Sequence, residues 1–212
     1  LDPTVGGALV VGAAMGVVAY RVPLSFWERY SLGLILMALL LLVAVLIPGV
    51  GKTVNGATRW LRVPGFSIQV SEIAKLLIIL YLAGYLVRQA HAVRNTIAGF
   101  VRPIATTLLA FVLLMLEPDF GAAVVVFLVM LGMLFIAGAR YSHMIALGAI
   151  GISAFGALAA TSSYRMQRIM SFTDPWADPF NTGFQLTQSL IAIGSGSFTG
   201  VGLGGSVQKL SY

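Results

Sequence analysis

Charged side chains are scarce in this sequence, so each one marks a place where chemistry is possible. Glu117-Pro118-Asp119 sets two carboxylates around a proline. Carboxylates this close could hold a divalent cation or act as an acid and base pair. They also have a structural use, with Pro118 ending one helix and Asp119 capping the next. Glu72 and Lys75 stand three residues apart, which puts them on one helical face within ion-pairing reach. Beside Ser71, a candidate N-cap, the pair either steadies a helix start near the headgroups or lines a polar cavity. A third cluster runs from Tyr164-Arg165-Met166-Gln167-Arg168 to Asp174-Pro175-Trp176-Ala177-Asp178-Pro179. The guanidinium fork of Arg165 or Arg168 matches a phosphate oxyanion, and the same arginines could anchor headgroups beside an interfacial Trp176.

Other chemistries are excluded. Cysteine is absent, which removes disulfides, thiolates and Cys-based metal sites. His91 and His143 are the two histidines and sit in separate connectors, so there is no zinc motif. The Gly194 to Gly205 stretch lacks a preceding strand and does not read as a dinucleotide loop; it is expected to be a flexible turn. The net charge of +6 comes from thirteen Lys and Arg placed singly between apolar runs, a pattern that argues against nucleic acid.

The elements that must position these residues are apolar. Hydrophobic residues make up 58% of the chain and charged ones 9%, with a mean hydropathy of +0.95, against about 25% charged residues in soluble domains. The expected fold is all-α: a polytopic integral membrane helix bundle over residues 1–161. Six spans are expected at Val5 to Tyr20, Ser31 to Pro48, Glu72 to Val87, Ile104 to Leu116, Gly121 to Gly138 and His143 to Thr161. The first has no basic leader and does not read as a signal peptide. Residues 162–212 are richer in Gly, Pro, Gln and Ser and are expected to form a large extramembrane loop. It would hold one amphipathic helix from Asn181 to Ile193, apolar at Phe184, Leu186, Leu190 and Ile193 and polar at Gln185, Gln188 and Ser189. Gly49 to Ser71 reads as a long polar connector and Arg21 to Arg29 as a short basic turn. Charge counting leaves orientation open, because six arginines at one end of the bundle face six cations at the other.

Five blocks in order carry a resemblance: Asn55-Gly-Ala-Thr-Arg-Trp60, Gln69-Val-Ser-Glu-Ile-Ala-Lys75, Glu117-Pro-Asp-Phe-Gly121, Asp178-Pro-Phe180 and Gln185-Leu-Thr-Gln-Ser189. Together they resemble the SEDS family, whose members polymerise peptidoglycan glycan strands. The closing Ser206-Val-Gln-Lys209 with Leu210 and Tyr212 is similar to the cell-division, FtsW-type branch rather than the elongation branch. The resemblance implies a SEDS fold with about six of roughly ten transmembrane helices in this sequence. It places Gly49 to Ser71 and the large loop from Ser162 to Tyr212 in the periplasm or on the cell exterior. It also implies lipid II as substrate, in the bacterial inner membrane at the division septum. A divalent cation, Mg or Mn, would accompany the lipid pyrophosphate, with no organic cofactor. Implied partners are a class B penicillin-binding transpeptidase of the FtsI type and the divisome proteins FtsQ, FtsL, FtsB and FtsN, amid membrane lipids.

Site residues carried over are Arg59 and Lys75 toward the pyrophosphate, Glu72 holding Lys75, and Asp119 supporting the same cavity. Arg165, Arg168, Asp178, Gln185, Gln188, Ser189 and Lys209 complete the implied substrate-binding set. The catalytic aspartate of the family is expected after Tyr212, so no catalytic base is assigned within the sequence, which alone is expected to be inactive. The complete first helix of the family is expected to be missing near Thr4 and Val5, which would then not be neighbours in the full protein. Val70 stands where the family usually has proline, a change that relaxes a helix start. The rival reading is a transporter that flips lipid II, since a polar cavity in a helix bundle also suits translocation; a third is a scaffold for the transpeptidase.

Overall fold

The computed structural model describes residues 3–54, 57–63, 66–202 and 205. The order is α1 (Pro3–Arg21), α2 (Leu24–Arg29), α3 (Ser31–Leu46), β1 (Gly51–Val54), β2 (Ala57–Val63), β3 (Phe66–Gln69), α4 (Val70–Arg88) and α5 (Ala90–Asn95). There follow α6 (Ile97–Leu116), α7 (Phe120–Ile136), α8 (Tyr141–Ala160), α9 (Ser163–Thr173) and α10 (Phe184–Gly196). All six expected apolar runs are helical, and the architecture is a polytopic helical membrane fold. The helices α4, α6 and α8 are long and apolar enough to cross a membrane. With 16 and 17 residues, α3 and α7 fall about a turn short of the roughly 20 residues that span the hydrocarbon core.

The chain forms two compact units, Tyr20–Ile152 and the combination of Leu1–Ala19 with Ser153–Tyr212. In the Tyr20–Ile152 unit α4 is central, packed against α3, α6 and α7. Its core is made of Ile35, Ala38, Leu42 and Val45 from α3, Ala74, Ile78 and Leu82 from α4, Ala110 and Leu114 from α6, and Ala123, Val126 and Leu134 from α7. The spacings of three and four follow one helical face. Since the opposite faces are apolar as well, the sequence could not tell the packed side from the lipid side. Small residues let backbones approach where lipid gives no hydrophobic drive. A Cβ placed on Gly84 of α4 would lie 2.8 Å from the Ser31 Cβ of α3.

Three local expectations are corrected. The Gly49 to Ser71 connector is a three-stranded antiparallel sheet in the order β1-β2-β3, with Trp60 paired to both Lys52 and Gln69. The fourth span begins at Ile97, seven residues before Ile104, because Pro103 lies inside α6 rather than ahead of it. Proline lacks the N–H that would bond the carbonyl four residues back, that of Gly99; the Tyr85 hydroxyl of α4 donates to that oxygen instead, at 3.1 Å. Ser71 is not a cap. The N-cap position of α4 is Gln69, with Val70 as the first helical residue, and the buried Ser71 Oγ accepts from Gln69 Nε2 at 3.1 Å.

In the other unit α1 runs through Thr4 and Val5 without a break. Among the described residues of 162–212 there are two helices, α9 and α10, where one was expected. The second starts at Phe184, three residues after Asn181, and buries Thr187 rather than its apolar stripe, with Leu190 and Ile193 exposed.

Candidate functional site

The sheet positions Arg59. From the middle of β2 its side chain reaches the α6–α7 hairpin, where Nε donates to the Glu117 carbonyl at 3.3 Å and Nη2 to the Pro118 carbonyl. The same Nε stands 3.8 Å from Asp119 Oδ2. Asp119 is the N-cap of α7, as the sequence suggested, its Oδ1 accepting from the Ala122 N–H at 3.1 Å. It therefore does two jobs, closing a helix start and offsetting the guanidinium. A bound cation between the two carboxylates would face that guanidinium. Among the described residues no group of three or more His, Asp and Glu stands together as a metal cage. The cation-binding use of Glu117 and Asp119 is not supported by this geometry.

Glu117, read from the sequence only as one of a carboxylate pair, is absent from the implied substrate-binding set. Its side chain is fully buried, and among the described residues neither carboxylate oxygen has a hydrogen-bond partner. Burial foremost, and then the charge of Asp119, push its pKa up to about 8 against the opposing pull of Arg59. An ionised carboxylate without a partner is costly to bury, and the usual response is to keep the proton. The available signal was its position, a lone acid closing an apolar helix and followed by proline.

Glu72 and Lys75 form the expected pair, Lys75 Nζ donating to Glu72 Oε1 at 2.8 Å across the first turn of α4. The Glu72 side chain is 60% exposed and that of Lys75 20%, so the lysine is the member tucked against the protein. Arg59, Asp119, Glu117, Glu72 and Lys75 all belong to the end of the Tyr20–Ile152 unit that carries the sheet.

The remaining candidates lie in the other unit. Arg165 donates to the Leu158 carbonyl at 2.8 Å, bracing the end of α8. Arg168 Nη2 donates to Gln185 Oε1 at 3.2 Å, joining α9 to α10. Asp178 organises the turn between those helices: its carboxylate accepts from Asn181 Nδ2 at 3.0 Å and from the N–H and hydroxyl of Thr182. The Asn181 amide first, and then the Thr182 N–H, hold its pKa below the usual carboxylate range. Gly183 completes that turn, since a Cβ there would lie 2.3 Å from the Pro175 carbonyl oxygen. Ser189 donates to the Gln185 carbonyl at 2.7 Å, and Gln188 is half-buried on α10. Lys209, with the rest of the Ser206 to Tyr212 motif, lies outside the described residues.

Comparison with known proteins identifies the family. The profile of the cell cycle protein family that unites FtsW, RodA and SpoVE matches residues 5–212. A protein of Thioalkalivibrio sulfidiphilus named "Probable peptidoglycan glycosyltransferase FtsW" is 57% identical over 205 residues, 96% of this chain and 51% of that protein. One of the same name from Nitrosococcus halophilus is 52% identical over 204 residues, 96% of this chain and 52% of its own. The chain thus spans about half the length of the curated relatives it matches. Among solved structures, a chain of a peptidoglycan synthase complex described as coordinating polymerization and crosslinking aligns with a TM-score of 0.69 at 30% identity, covering 93% of this chain and 59% of that one. The rod shape determining protein RodA of Thermus thermophilus aligns at 0.62 and 26% identity, covering 74% and 51%.

Proposed function

The chain belongs to the FtsW, RodA and SpoVE family of cell cycle proteins, and on that premise we propose that it forms part of a peptidoglycan glycosyltransferase of the cell-division type. The substrate is lipid II, a disaccharide on undecaprenyl pyrophosphate. In the transfer a sugar hydroxyl of the acceptor attacks the anomeric carbon of the donor, the bond to pyrophosphate breaks, and the hydroxyl proton passes to a base. What this chain contributes is charge for the leaving group. The observation that carries the reading is the setting of Arg59, a guanidinium fixed by two hairpin carbonyls beside Asp119. A cation oriented before the ligand arrives needs no reorganisation as charge develops on the leaving oxygens. Lys75, steered by Glu72, adds a second positive group at the same end of the bundle.

Arg165, Arg168, Asp178, Gln185, Gln188, Ser189 and Lys209 are assigned to the donor's sugar and phosphate contacts as a second set. A divalent cation, Mg or Mn, enters with the lipid pyrophosphate, and no step here is routed through it. The partners are a class B penicillin-binding transpeptidase of the FtsI type and FtsQ, FtsL, FtsB and FtsN, at the septum of the bacterial inner membrane. The solved synthase complex that couples polymerization to crosslinking supports the transpeptidase.

The test is the purified full-length protein in detergent, with its transpeptidase and lipid II. Glycan strands should form, and Arg59→Ala and Lys75→Ala should each suppress them. Strand synthesis with no membrane to cross excludes a pure flippase. Synthesis unchanged in both variants leaves only a scaffold and refutes the proposal.

A further inference from the structure

Glu117 is the one acid of the sheet end that the glycosyltransferase reading does not use. Its surroundings are unusually bare of charge. The helices packed against α6 are α3, α4, α5 and α7, and α3 and α7 contain no ionisable residue. Arg102 of α6 lies four turns away, near the opposite helix end, where α5 adds His91 and Arg94. From α4 the charged residues at this end are Glu72 and Lys75, joined to each other. What acts on Glu117 is Asp119 from its own hairpin and Arg59 from β2. Yet Arg59 directs its hydrogen bonds to the main-chain oxygens of Glu117 and Pro118 and not to the Glu117 carboxyl, whose two oxygens have no partner among the described residues.

We propose that Glu117 is a positioning residue that stands in the site as an uncharged carboxylic acid, leaving Arg59 offset by Asp119 alone and able to hold a phosphoryl anion. The inference deepens the pyrophosphate-binding reading given above and rests on it. Its physics is a charge count. With Glu117 neutral, Arg59 and Asp119 sum to zero, and an arriving diphosphate meets a guanidinium at close range. With Glu117 ionised the trio carries one net negative charge next to that guanidinium, and the anion is repelled. At an effective dielectric near 20, one added charge about 6 Å away weakens binding at least about tenfold. The proton on Glu117 therefore keeps the cation available, and the group's resistance to ionisation through neutral pH keeps that state in place. A glutamine at this position would do the same work without a proton to lose.

The test uses full-length protein in lipid nanodiscs and three readouts on wild type and Glu117→Gln. The first is the infrared difference spectrum between the two at pH 6.5, in which a protonated carboxyl band should be present in wild type and lost in the variant. The second is binding of inorganic pyrophosphate between pH 6 and 9.5. Wild type should bind at least about tenfold more weakly at the alkaline end, while Glu117→Gln keeps its neutral-pH affinity throughout. The third is thermal melting at pH 8.5, where the variant should melt above wild type. No carboxyl band, no pyrophosphate binding by wild type, an identical alkaline loss in both proteins, or a variant that melts below wild type each overturns the inference. Wild-type protein that binds pyrophosphate with the expected pH dependence yet forms no glycan from lipid II would instead sink the glycosyltransferase reading and leave this one standing.

Discussion

Both ends of the Tyr20–Ile152 unit use arginines to hold helix ends together, and they differ in what else those arginines face. At the end carrying α5, Arg88 donates to the Glu28 carbonyl, Arg94 Nε to that of Ala137 at 2.8 Å, and Arg140 to those of Arg94 and Asn95 at 3.1 and 3.3 Å. Every acceptor is a carbonyl at or beside a helix C-terminus, where a cation suits both the orphan oxygens and the dipole. Arg94 and Arg140 form a reciprocal clasp, one closing α7 and the other closing α5. At the sheet end Arg59 makes the same kind of carbonyl contact, but with Asp119 at its flank and a buried acid behind. Stapling loops to helix ends needs only the first arrangement. Asp119 has a structural use there as the N-cap of α7, so the carboxylate that stapling and capping leave without a role is Glu117, and ligand binding supplies one.

Changes at the two ends should therefore separate activity from stability. The largest effect is expected for Arg59→Ala, with glycan synthesis down by roughly two orders of magnitude or more, as for loss of one preorganised charge-stabilising donor, measured with lipid II and the full-length protein. Equal loss in Arg140→Ala would erase the distinction between the ends. Next is Glu117→Gln. The folded acid keeps its proton up to about pH 8, whereas the unfolded one loses it near 4.5, so the Glu117 contribution to wild-type stability is full below about 4.5, is lost as pH rises towards 8, and levels off above it. The amide has no such loss and should stabilise the fold at pH 7 by on the order of 3 kcal/mol. A melting difference that does not grow from pH 5 to pH 8 would contradict this.

At the α5 end, Gly84→Val forces a side chain into the contact with Ser31 and should cost about 1–3 kcal/mol as strained packing. The enzyme that still folds should retain its pH profile. Smaller still, Arg140→Ala uncaps two carbonyls for about 1 kcal/mol, with synthesis per folded molecule unchanged. The smallest stability change belongs to Glu72→Ala. An i,i+3 pair on a helix surface contributes about 0.2–0.5 kcal/mol, so melting should barely move while lipid II turnover drops. Wild-type turnover in that variant would detach Lys75 from the ligand.

What could be read from the sequence follows what each signal depends on. Apolar length is a property of a segment alone, and all six runs are helices. Capping by Asp119 is also local and was visible. The sheet has local signals too, which went unread. Its register leaves two residues between Val54 and Ala57 and two between Val63 and Phe66, and these are Asn-Gly and Pro-Gly, dipeptides that punctuate strands. Set among membrane spans, the segment also fits a plain polar connector. The start of α6 is not legible locally, because Pro103 normally argues for a boundary and the Tyr85 hydroxyl that makes it tolerable comes from another helix. Ser71 fits the cap composition as well as any residue, yet it is inside α4 and buried. Burial of Glu117 depends on how α6 and α7 meet their neighbours, which no pattern along one segment encodes.

The Tyr85 contact also bears on how the protein is made. A helix with an internal proline reaches the bilayer carrying one peptide oxygen that its own backbone cannot serve. Here the donor lies fourteen residues earlier in the chain than its acceptor and so leaves the ribosome first. The α4–α6 helical pair can satisfy that oxygen while the rest of the polypeptide is still being translated, without waiting for any later segment to insert.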